Sequence, residues 1–77
     1  NPFRDETTIT YALSAPAHVT LSVFDVTGRR VALLTDGLQP AGTHTVPFAP
    51  RGLASGVYVY RLQTPTATVT QRMLLLR

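Results

Sequence analysis

Catalysis by side chains needs a nucleophile, a base and an orienting group that converge, and this sequence offers few of each. The titratable candidates are His18, His44 and the acids Asp5, Glu6, Asp25 and Asp36, with a handful of serines beside them. Ser55, His44 and Asp36 could in principle form a relay. Ser55, however, lies in Ala54-Ser55-Gly56, which lacks the nucleophile-elbow pattern that presents a reactive serine. His44 falls between Thr43 and Thr45 on an exposed-looking strand and reads as a surface histidine. Two histidines in different strands, in a chain without cysteine, do not make a zinc signature. Adjacent Asp5 and Glu6 read as a solvated turn rather than a cation site, and the isolated glycines form no phosphate cradle. No catalytic residue, metal ligand or cofactor is assigned. The remaining candidates are residues that another molecule could recognise.

Charge points the same way. The formal net charge is +3, carried by seven arginines and no lysine. They are scattered, only Arg29 and Arg30 being adjacent, so no basic stripe follows a phosphate backbone and no stacking aromatics are interleaved with them. Nucleic acid is not an expected partner. No stretch approaches the ~20 apolar residues of a membrane span, so no transmembrane segment is expected. A chain of 77 residues makes one domain, and one of this size buries only about 60% of its unfolded surface, leaving a thin core without room for a deep active site. It begins with Asn1-Pro2-Phe3 rather than Met, and the expected organisation is a single domain over residues 1–77, a module of a longer chain.

The elements that must position any recognition residues are strands. Gly56-Val57-Tyr58-Val59-Tyr60-Arg61-Leu62 is β-prone on both faces and reads as a central strand, entered by a Leu53-Ala54-Ser55 turn that drops Leu53 into the core. Residues 7–13 and 18–25 alternate, with Ile9, Tyr11 and Leu13, then Val19, Leu21 and Val23, facing inward. The break at Ser14-Ala15-Pro16-Ala17 makes these two a candidate hairpin. At 25–30, Gly28 is placed for positive φ and Asp25 for bonding turn amides. Residues 31–35 read as a short strand ending at Asp36-Gly37 and a loop over 38–42. Residues 43–48 read as a strand that Pro47 confines to an edge or bulge. Residues 67–77 form a last strand, apolar on both faces and flanked by arginines. It is either buried between layers or offered to a partner as an edge or an apolar face. Six or seven short strands with turns at intervals of roughly ten residues predict an all-β, immunoglobulin-like antiparallel β-sandwich of about seven strands.

An ordered set of segments carries a resemblance. Asn1-Pro2-Phe3, Thr8 to Leu13, Val23-Phe24-Asp25-Val26-Thr27-Gly28-Arg29, Ala41-Gly42, Leu53 to Tyr58 with Tyr60-Arg61-Leu62, and Arg72-Met73-Leu74-Leu75-Leu76-Arg77 together resemble the type IX secretion C-terminal sorting domain. The immunoglobulin-like domain of hook-capping proteins shares much of the pattern. The resemblance implies a C-terminal signal of a Bacteroidetes-like secreted protein, recognised by the outer-membrane secretion machinery. It also implies passage through the periplasm to the surface or medium, removal by a sortase-like peptidase and attachment of an N-terminal cargo domain to the surface. Carried onto this chain, the recognition residues are Gly56, Val57 and Tyr58 and, in the terminal strand, Arg72, Met73, Leu75 and Arg77. Arginine stands at 72 and 77 where the family commonly has lysine nearby, and Arg4-Asp5-Glu6 replaces the more usual opening. The alternative is an accessory sandwich of a secreted hydrolase, carbohydrate-binding or a structural spacer. Against carbohydrate binding, the chain has no Trp and only three Tyr and three Phe, most at inward parity.

Overall fold

A computed structural model describes residues 2–76; Asn1 and Arg77 lie outside the described residues. Seven strands follow one another: β1 (Pro2–Phe3), β2 (Thr7–Leu13), β3 (Ala17–Phe24), β4 (Arg30–Gln39), β5 (Gly42–Phe48), β6 (Gly56–Gln63) and β7 (Thr68–Leu75). They form a five-stranded sheet in the order β1-β7-β6-β3-β4 and a two-stranded sheet of β2 and β5. Every pairing is antiparallel except that of β1 with β7, which is parallel. The result is the expected all-β, immunoglobulin-like sandwich.

The strand at 56–63 is central, with β7 on one side and β3 on the other. Period-2 alternation sends its tyrosines inward: Tyr58 is buried, and Tyr60 and Leu62 pack against the core. Val19, Leu21 and Val23 from β3 are fully covered, as is Leu75 from β7. Ile9, Tyr11 and Phe48 close the core from the two-stranded sheet. Phe3 anchors the start of the chain, its ring 6.2 Å from that of Phe48. Leu53 packs against the same cluster. Just before β6, the Tyr58 hydroxyl donates to the Ala54 carbonyl at 2.7 Å. The resulting tie resembles a tyrosine corner, a side-chain clamp on the turn that precedes the strand.

Three expectations need correction. Residues 7–13 and 17–24 do not form a hairpin: β2 pairs with β5 across residues 42–48, and β3 joins β4 and β6 in the other sheet. Alternation tells which face a residue occupies but not which strand lies beside it. The strand at 31–35 is longer than its composition suggests, running through Asp36-Gly37 to Gln39. Pairing with Ala17 to Thr20 overrides the turn chemistry there, and two bulges take up Leu34 and Val31 as unpaired residues of β4. Finally, His44 is not an exposed histidine. It lies opposite buried Tyr11 and therefore on the same inward face. It is half-buried, its ring stacked 5.1 Å from Tyr11, and Nε2 is 2.7 Å from the Pro40 carbonyl.

Candidate recognition surface

The groups with chemical potential are separated by the fold. Asp36 is engaged across the β3–β4 ladder by His18, Nε2 to Oδ1 at 3.1 Å, with both side chains more than half exposed. His44 is held by Tyr11 and Pro40 in the other sheet. Among the described residues, no three His, Cys, Asp or Glu side chains gather where they could hold a metal ion. Asp25 is spent on its own turn. Its Oδ1 accepts the Thr27 amide at 2.9 Å, the Thr27 hydroxyl at 2.6 Å and the Arg29 amide at 3.1 Å. Gly28, at φ 86°, allows the chain to close that loop. The Thr27 hydroxyl contributes most to holding the Asp25 carboxyl below its ordinary value, with the turn amides and Arg29 adding to it.

The expected recognition residues divide by parity. Tyr58, Met73 and Leu75 point into the core, 7%, 4% and 0% exposed. Val57, opposite Leu74, and Arg72, opposite Val59, point to the outer face of the five-stranded sheet. Val57 and Leu74 are among the exposed large apolar side chains, and Arg72 is exposed. Gly56 opens β6 at φ 153°, a backbone that side-chain-bearing residues rarely adopt. Arg77 lies outside the described residues.

The terminal strand is thus apolar on both faces for two different reasons: Met73 and Leu75 fill the core, while Leu74 and Leu76 remain exposed. β7 pairs with β6 along its whole length, but with β1 only at Leu74 and Leu75. From Thr68 to Met73 its outer edge has no strand partner among the described residues. That edge presents backbone donors and acceptors to any extended segment. Beside it, Val57, Val59, Arg61, Thr70 and Arg72 line an open groove of about 550 Å³ on the outer face.

The chain matches the family described as the secretion system C-terminal sorting domain over residues 1–76, essentially its whole length. It belongs to that family. The sorting domain is a signal for type IX secretion, and a domain of this kind is not itself catalytic. Membership implies interaction with the type IX machinery and export to the cell surface or medium. No helix in the described sorting domain is long and apolar enough to cross a membrane. The comparison with curated proteins and that with solved structures gave no match.

Some features of the sorting domain had no signal in single-residue patterns. The Arg61 guanidinium lies 4.5 Å over the Phe24 ring, a pairing that follows from Phe24 and Arg61 facing outward from adjacent strands. Parity alone could have suggested it once β3 and β6 were known to be neighbours. The His18–Asp36 contact depended on the unexpected extension of β4.

Proposed function

We propose that this domain is the removable export tag of a longer secreted protein. It folds as a unit in the periplasm, is read by the outer-membrane machinery through β7 and the adjoining outer face, and is then cleaved by a sortase-like peptidase that fixes the cargo at the surface. The observation that carries this reading is the division within β7: alternate residues secure the strand in the core, while Arg72 and Leu74, with Val57 beside them, stay available to a partner. On this reading Val57 and Arg72 are contacted directly. Gly56, Tyr58, Met73 and Leu75 act by holding the strand in place, and Arg77 extends the basic end of the signal.

The aromatic residues favour sorting over the carbohydrate-binding alternative. Phe3, Tyr11, Phe48 and Tyr58 are buried, half-buried Tyr60 packs against the core and Phe24 is capped by Arg61, so they supply no flat exposed platform for a sugar ring. The test is a fusion of a signal peptide, a reporter and residues 1–77 with a C-terminal epitope, in a host that has the type IX machinery. Reporter at the surface or in the medium without the epitope supports export and cleavage. Exported reporter that keeps its epitope overturns cleavage, and reporter left in the periplasm overturns the whole proposal.

A further inference from the structure

We propose that the outer-face groove is a docking site for an extended peptide segment of a partner protein in which apolar side chains alternate with carboxylates. This deepens the sorting reading and rests on it for the partner being a protein of the export apparatus.

The groove floor is apolar, from Phe24, Val57 and Val59, and its charge comes from Arg61 and Arg72. Arg61 lies opposite Thr70 and Arg72 opposite Val59, so the two guanidinium groups start from diagonal positions of one antiparallel ladder, about 7–8 Å apart at the backbone. Neither forms an ion pair among the described residues. The Nε atom of Arg61 is buried without a hydrogen-bond partner among the described residues, while its guanidinium carbon rests on Phe24. A buried donor left unmet is costly, and a charged acceptor meets it better than a neutral one. Asp25, the acid lining the groove, is engaged by its own turn through Oδ1, and Arg29 Nε lies 3.6 Å from Oδ2. The groove therefore holds two guanidinium groups over an apolar floor, neither of them paired with its one acid.

The geometry selects an extended chain. Side chains on one face of a strand recur every two residues, about 6.8 Å apart. The rows Val57/Leu74, Val59/Arg72 and Arg61/Thr70 have that same spacing along the ladder. A segment lying in the groove over β6, between Phe24 on one side and Thr70 and Arg72 on the other, would set alternate side chains beside the guanidinium groups of Arg61 and Arg72 and the intervening ones over Val57 and Val59. A compact anion such as phosphate would satisfy Arg61 but leave Val57 and Leu74 uncovered.

The experiment is an NMR titration of the isotopically labelled 77-residue chain. The probe is an acetylated, amidated hexapeptide alternating valine and glutamate; the controls are the valine–glutamine peptide and inorganic phosphate. The expected result is shifts confined to the amides of Val57, Val59, Arg61 and Arg72 and to the Arg61 Nε–H signal. The glutamine peptide should bind about tenfold more weakly, the scale of a lost charge-assisted hydrogen bond. Arg72→Gln, at an exposed position, should weaken glutamate-peptide binding by a similar factor, as should Arg61→Gln. Equal binding of the two peptides, phosphate reproducing the full pattern, or no shifts in the groove would overturn the proposal. The reporter fusion separates this from the sorting reading. Wild-type fusion exported with a silent titration defeats the groove alone, whereas wild-type fusion retained in the periplasm defeats the sorting reading whatever the peptide does.

Discussion

Neighbouring leucines in β7 should have sharply different energetic roles. Leu75 is fully covered and belongs to the core, while Leu74, one residue before it, is 36% exposed on the outer face. Truncating a fully buried leucine to alanine removes its transfer free energy and leaves a cavity, together costing about 2–5 kcal/mol. A domain of this length is stabilised by only about 4–12 kcal/mol, so Leu75→Ala should remove a large share of its stability. Leu74→Ala loses partly solvated surface and leaves no enclosed cavity, a cost of about 1 kcal/mol or less. Urea unfolding followed by far-ultraviolet circular dichroism measures both, since the chain has no tryptophan for fluorescence. With similar slopes, the midpoint should fall steeply for Leu75→Ala and slightly for Leu74→Ala. Equal losses, or a larger loss for Leu74→Ala, would refute the assignment of inner and outer faces and the recognition surface built on it.

Other outcomes follow from the turns. Tyr58→Phe removes the hydroxyl that clamps the Ala54 carbonyl and should cost about 1 kcal/mol, a fall in melting temperature of about 4–8 °C; an unchanged melting temperature would show that the clamp contributes nothing. Asp25 has a folded-state value below its ordinary 3.8. Its contribution is therefore fully present above that ordinary value and is lost as pH falls through the lower folded one. Urea midpoints measured from pH 7 to pH 2 should show an acid-side decline that is smaller in Asp25→Asn. An identical decline in the variant would assign the acid sensitivity to other carboxyls.

Much of the inner surface was legible because apolar alternation is a local signal. Val19, Leu21 and Val23, and Ile9 and Tyr11, all sit where their parity places them. Partnership was not legible, because the same alternation fits a strand into either sheet. That is why β2 and β3 looked like a hairpin and why His44, inward only by virtue of facing Tyr11, looked exposed. Local turn chemistry was reliable at Asp25 to Gly28, where side chain and backbone close the loop without outside help. It failed at Asp36-Gly37, where a paired neighbour extends the strand. The contents of the terminal strand were readable, but the division of labour between Leu74 and Leu75 required knowing which face the second sheet covers. The Arg61–Phe24 contact was not legible, because it required knowing that β3 lies beside β6.

The most direct test of recognition by the folded domain is export of the reporter fusion carrying Val57→Ser, Arg72→Gln and Leu74→Ser together, compared with the unaltered fusion and matched by urea midpoints of the isolated domains. The unaltered reporter should reach the surface or medium, and the triple variant should fold yet stay in the periplasm. A folded triple variant exported as efficiently as the original would contradict recognition through this face.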